Sequence, residues 1–290
     1  MKNTIQILFI ILFFSIGCRP KPLSIDLPQA EQKLVISSQI IPNAAMIVTV
    51  SKTMDATGFS QDNGDTLSSD ILNQLLVDSA LVTISYNGII DTLIRIPGVP
   101  GIFFSLAPQV LDVNYNLYVK EYEKSRVVTS SAKMLPMVSL DTVTSTKSIS
   151  GGFPKIDIAY SFNDPQNEDN WYMVNFYAFK DSTEQSGTNF DFTENSNIVR
   201  ETIVLSDKNF STSFVSLTQN LLGEEWDKDT VFVSLSNISE GYYNYVNSRL
   251  RGGSILTSLT SEPINYPTNI IGGLGFFTTH KPSIKITPVN

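Results

Sequence analysis

Residues 113–120 alternate without a break. Val113, Tyr115, Leu117 and Val119 take one parity, and Asn114, Asn116, Tyr118 and Lys120 take the other. Side chains on a strand point to opposite faces in turn, so this segment is a strand with one dry face and one wet face. Such strands belong to antiparallel sheets stacked in layers. The same period recurs at Met46, Val48 and Val50, and again at Ala80, Val82, Ile84 and Tyr86. Asn87-Gly88 then supplies a hairpin dipeptide, with Asp91 to Ile96 expected as the returning strand. The pattern predicts a mainly β fold.

The N-terminus is of a different kind. Lys2 is basic, Ile5 to Phe14 are apolar apart from Gln6, and Ser15-Ile16-Gly17 are mostly small and precede Cys18. The apolar run is too short to cross a bilayer, which takes about 20 residues. It has the length of a signal-peptide core and stands outside the fold. Cysteine directly after Gly17 reads as a lipidation site: cleavage precedes Cys18, and the new terminus is acylated. Several acyl chains anchor stably, because each buried CH₂ contributes about 0.8 kcal/mol. Cys18 is the only cysteine in the chain, so no internal disulfide is expected. About 270 residues follow it, enough to build a core without covalent staples.

Residues 18–32 carry Pro20, Pro22 and Pro28 and read as an extended tether. We expect an N-terminal β-sandwich of immunoglobulin or transthyretin type over 33–145 and a β-rich C-terminal domain over 153–290. The boundary falls in the Ser-, Thr- and Gly-rich stretch Thr142 to Gly152. Thr53 to Asp78 reads as an inserted loop with a short helix after Ser68 or Ser69. In the second half Ile156, Ile158, Tyr160 and Phe162 alternate with polar or small residues. Trp171 to Phe179 is apolar on both faces apart from Asn175, so it is expected as a central strand. Val231, Val233 and Leu235 make another strand. Ser239 caps a helix running to Leu250, with Tyr242, Val246 and Arg249 on one face and Gly252 at its end. A short strand, Ile284 to Ile286, closes the chain. The fold class is therefore mainly β, two antiparallel sandwich-like domains with one or two short helices.

Charge and composition exclude much. The formal net charge is −8, which argues against nucleic acid and against electrostatic attachment to anionic lipid. His280 is the only histidine and is expected as an exposed tail residue. A Ser-His-Asp site would need it, and no Gly-x-Ser-x-Gly elbow is present. Zinc sites built from Cys and His fail by count. Gly272-Gly273-Leu274-Gly275 lacks the spacing of a phosphate loop, so its glycines are expected to permit a tight turn or a close backbone approach. Asp62-Asn63-Gly64-Asp65 resembles a calcium loop without the downstream glutamate and reads as a polar turn. Asp164, Asn167, Asp169 and Asn170 read as a hairpin loop with Asx turns. No cofactor and no metal are expected.

Aromatic residues are the remaining lead. Trp171, Tyr172, Phe176, Tyr177 and Phe179 are dense, as are Tyr242, Tyr243 and Tyr245. Most are expected in the core. Three tyrosines so close cannot all face one side of a helix, so Tyr242, Tyr243 and Tyr245, with Trp171, are the candidate ligand or partner surface.

Several stretches together resemble one family. They are Cys18 with its tether, Lys33-Leu34-Val35-Ile36, Ala80 to Ile84 and Asn116-Leu117-Tyr118-Val119. They continue with Asp164-Pro165, Asn170-Trp171-Tyr172, and the run from Glu262-Pro263 through Asn269 to Phe277. The chain is similar over nearly its whole mature length to the Bacteroidota outer-membrane lipoproteins of the domain-of-unknown-function 4249 family. The resemblance implies a lipid-anchored outer-membrane location, on the cell-surface or periplasmic face. It also implies a non-enzymatic supporting role beside a TonB-dependent receptor in nutrient uptake. It assigns no catalytic residues. The alternatives are a stand-alone surface module that binds glycan or protein, and, last, a carboxylate-dependent hydrolase.

Overall fold

The computed structural model describes residues 31–41, 43–53, 74–180, 199–222, 228–252 and 265–290. Cys18, the Asp62–Asp65 turn and the start of the helix expected after Ser68 lie outside the described residues, and Gln74 and Leu75 are helical. From Gln32 onward the described residues belong to one compact unit.

Two β-sandwiches hold separate cores. The first stacks a five-stranded sheet, in the order β15-β1-β2-β6-β5, on a four-stranded sheet, β4-β3-β7-β8. Its strands are β1 (Leu34–Ile41), β2 (Ala45–Lys52), β3 (Ala80–Tyr86), β4 (Ile89–Thr92), β5 (Ile94–Arg95), β6 (Ile102–Ser105), β7 (Val113–Glu121), β8 (Val127–Met134) and β15 (Leu274–Phe276). The alternating residues point where the period placed them. Met46, Val48 and Val50 meet Val82, Ile84, Tyr115, Leu117 and Val119 in one buried cluster. Tyr115 donates none of its burial to waste: its hydroxyl accepts from the Val110 amide at 2.8 Å while its ring stacks on Tyr86 at 4.9 Å.

The hairpin at Asn87-Gly88 forms with both residues at positive φ, 47° and 76°. Its returning arm differs from the expected single strand. β4 pairs with β3, then Leu93 turns into the core and β5 pairs with β6 of the opposite sheet. One buried leucine thus carries the chain from one layer to the other.

The second sandwich stacks β13-β10-β9 on β12-β11-β14-β16. Its strands are β9 (Leu140–Ser150), β10 (Phe153–Asn163), β11 (Trp171–Phe179), β12 (Val199–Ser206), β13 (Phe214–Leu222), β14 (Thr230–Ile238) and β16 (Ser283–Pro288). β11 is central, paired with β12 and β14. Tyr172, Val174 and Phe176 fill the core with Ile158, Tyr160, Phe162, Val231, Val233 and Leu235. The Ser- and Thr-rich stretch expected as an inter-domain segment is ordered as β9 and a two-glycine turn. Its inward Ser145 donates to the Pro288 carbonyl at 2.8 Å, and Thr142 shares a 2.6 Å hydrogen bond with Ser161. Satisfied hydroxyls take the place of the apolar run that a strand usually shows.

The C-terminal segment serves both sandwiches. β15 pairs parallel with β1, while Ile271 exchanges backbone hydrogen bonds with Thr129 of β8 at 2.8 and 3.2 Å. Ile270 and Phe277 enter the first core, and β16 then pairs with β14 of the second sandwich. Asn269 clasps the loop between them. Its Nδ2 donates to the Phe277 carbonyl at 2.8 Å, and its Oδ1 accepts from the Phe277 amide at 2.9 Å. Asn269→Ala is expected to lower unfolding free energy by about 1–3 kcal/mol. The check is a lower urea midpoint with an unchanged slope.

The glycines of this segment act as the sequence suggests. A Cβ on Gly273 would lie 2.7 Å from the Leu34 carbonyl oxygen, and one on Gly275 only 2.0 Å from that of Ile36. The close approach is what lets β15 seat beside β1 as the edge strand of the same sheet.

Candidate functional site

Helix α1 (Glu240–Gly252) carries the candidate tyrosines. Ser239 begins it as expected, its hydroxyl oxygen accepting from the Tyr242 amide at 3.3 Å. Glu240 stands in the first turn and Arg249 and Arg251 in the last, each complementing the helix dipole. Val246 is the one buried residue of the helix. It packs with Met173 and Ile238 on the outer face of the second sandwich, and Trp171, Val204, Tyr242, Tyr243 and Tyr245 surround that contact.

The structure therefore brings Trp171 and the three tyrosines together around one small cluster. All four are half-buried. Tyr242 is the hub. Its ring lies 6.0 Å from Tyr245, 5.3 Å from Phe276 and 5.4 Å from His280, the last nearly parallel at 23°. The Arg249 guanidinium sits over Tyr245 at 5.8 Å, and the Lys208 ammonium over Trp171 at 5.9 Å. Burial pushes the Tyr242 phenol up to about 12.

His280 corrects the sequence reading. Expected as an exposed tail residue, it is 8% exposed. The chain on either side of it is pinned, by β15 on β1 and by β16 on β14, so residues 278–280 must cross the interior. Its Nδ1 lies 3.2 Å from the Thr278 hydroxyl. Burial alone lowers its pKa to about 4. Among the described residues no carboxylate is bonded to it of the kind a catalytic triad requires.

The acidic loop before Trp171 is a structural lock. Asp164, 8% exposed, accepts from the Tyr172 hydroxyl. Burial, with Asp164 second, holds the Tyr172 phenol well above its ordinary value. The Asn170 amide donates to Asp207 Oδ2 at 2.7 Å, and its side-chain nitrogen donates to the carbonyls of Pro165 and Glu168, each at 3.2 Å. Asn167 takes the left-handed conformation at φ 70°. Among the described residues no three His, Cys, Asp or Glu side chains are grouped to hold a metal ion, and no helix is long and apolar enough to cross a membrane.

A family model described as "Domain of unknown function (DUF4249)" matches residues 20–285. The chain belongs to that family. The motif-bearing segments of this DUF4249 protein are the ones with architectural jobs: Asp164 and Asn170 fix the β10–β11 loop, and Asn269 to Phe277 closes the first sandwich. No curated protein matches. Among solved structures, a two-domain fibronectin type-III segment from chicken tenascin is similar at 9% identity and a TM-score of 0.22, covering 71% of this chain and 91% of that one. A "putative membrane anchored protein" from Corynebacterium diphtheriae is similar at 9% identity and a TM-score of 0.21, covering 72% of this chain and 55% of that one.

The partners of Tyr242 were not legible in the sequence. Phe276 and His280 lie more than thirty residues further on, in a stretch whose Pro and Gly content reads as a tail.

Proposed function

We propose that this DUF4249 protein is a Bacteroidota outer-membrane lipoprotein without catalytic activity of its own, tethered through acylated Cys18, that assists a TonB-dependent receptor in nutrient uptake. The observation that carries the reading is the order of the first residues: Lys2, the apolar run to Phe14, Ser15-Ile16-Gly17, then the only cysteine of the chain. A protein on an acyl anchor and a polar, proline-bearing tether works on a neighbour in the same membrane. Family membership supports it.

The test has two arms. Metabolic labelling with a fatty acid is expected to mark the wild type and not Cys18→Ala. Affinity purification of the wild type from solubilised outer membranes is expected to bring down a large β-barrel, and deletion of the gene to reduce receptor-dependent uptake. An unlabelled protein free in solution would remove the anchor. Normal uptake with no barrel recovered would remove the receptor role.

A further inference from the structure

We propose that His280 is a proton-operated latch, holding α1 closed on β11 and β12 while its ring is neutral and letting the helix open when the ring is protonated. Three observations place it there. His280 stacks on Tyr242, the residue through which α1 meets Phe276 and Tyr245. Its segment is held on the first sandwich, because the Ser38 hydroxyl of β1 accepts from the Thr278 amide at 2.7 Å and donates to the Thr278 carbonyl at 2.8 Å. The helix itself has Val246 as its one fully buried side chain, its tyrosines being half-buried around it.

Among the described residues, the partners of the ring are neutral: the Thr278 hydroxyl at 3.2 Å from Nδ1 and the stacked Tyr242 ring. α1 brings Tyr242 onto it, with Tyr245 and then Arg249 stacked behind. β1 contributes the neutral Ser38 through Thr278, and Lys281 follows in the chain. Burial is the one influence that shifts the ring's proton affinity, and no carboxylate offsets it. The Tyr242 face attracts a cation, but one stack does not replace the lost hydration of a charge this deep.

The sign follows from proton linkage. An open imidazole takes up its proton near the ordinary value of 6.5, and the closed one only near 4. Between those values the open form binds the proton that the closed form refuses. The closed form therefore loses ground as pH falls from about 6.5, by roughly 160-fold in the open-to-closed ratio at pH 4 and towards roughly 300-fold well below it. Opening uncovers Met173 and Ile238 and frees Trp171 and Tyr243.

Because His280 is the only histidine, its ring protons give a single unambiguous NMR titration in the full chain. Two readouts are followed from pH 7.5 to 3.5: that titration, and hydrogen exchange of the amides in 240–252, corrected for the intrinsic rate. In the wild type, protection of α1 is expected to fall as pH drops below 6.5, by roughly 240-fold at pH 3.5, while β11 and β14 stay protected. His280→Gln, which cannot titrate, is expected to keep α1 protection flat across the range. A ring that titrates at its ordinary value with α1 unchanged overturns the proposal. So does an acid opening of His280→Gln equal to that of the wild type. Should His280→Gln fail to fold, coupling of ring titration and α1 exchange in the wild type decides alone.

Discussion

Gly275→Ala is expected to destabilise the protein by about 4 kcal/mol, near the upper end for a single substitution. The added methyl would sit 2.0 Å from the Ile36 carbonyl oxygen and 2.9 Å from its carbon, at a φ of +92°. Neither backbone has room to yield, because β1 is fixed by β2 on its other side and by the buried Leu34 and Ile36 beneath. Gly98→Ala is the control. Gly98 has a similar φ, +78°, with nothing within 4 Å of a new Cβ, so it isolates conformational strain and is expected to cost about 1–2 kcal/mol. Urea unfolding of the two variants separates collision from strain. Equal midpoints would mean that β15 does not press on β1 as described.

The second large effect lies at the far end of β7. Glu121 is 2% exposed. Arg126 grips it with two nitrogens, Nε at 2.5 Å and Nη2 at 2.8 Å, while Nη1 reaches the Gln32 carbonyl at 2.6 Å. Removing one partner leaves an uncompensated buried charge. Arg126→Met is expected to cost about 3–5 kcal/mol, and the double variant Arg126→Met with Glu121→Leu to recover most of it, since a well-packed apolar pair is often neutral. The Arg126 hydrogen bonds hold the Glu121 carboxyl below its ordinary value near 4.5. Its stabilising contribution is therefore complete above that value and is lost as pH falls through the depressed folded one. Denaturation curves at pH 7 and at pH 3 are expected to differ by more for the wild type than for Glu121→Gln. A double variant no better than Arg126→Met would show that packing, not charge, limits the site.

The strands whose inward positions are apolar could be read from sequence: β2, β3, β7, β10, β11 and β14 all lie where the period-two pattern put them, and α1 follows its cap and its terminal glycine. Two of the strands that escaped notice, β8 and β9, carry hydroxyls inward, whereas β12 and β13 were missed despite Val199, Ile203, Val215 and Leu221 on the core. Ser130 of β8 donates to the Asn269 carbonyl at 2.9 Å, and Ser145 of β9 to Pro288 at 2.8 Å. Both acceptors come from the last residues of the chain. Hydropathy sees a polar side chain, and only the fold shows the partner that makes its burial tolerable. The candidate site divides in the same way. The tyrosines of α1 and Trp171 declared themselves as aromatics, but Phe276 and His280 joined them through long-range pairing of β15 and β16. A histidine among prolines and glycines looks like a tail until both flanks are seen to be strands.

The β1–β15 contact has a bearing on how the molecule is born. Ser38 and Thr278, hydrogen-bonded directly to each other, stand 240 positions apart. A polypeptide emerging N-terminus first must carry the bare rim of its opening strand through nearly all of its synthesis before the matching segment arrives. Contacts of that span slow the search for the native arrangement, and a naked rim invites the wrong neighbour in the meantime. Chains stalled or clipped ahead of residue 274 are thus the ones most prone to clump.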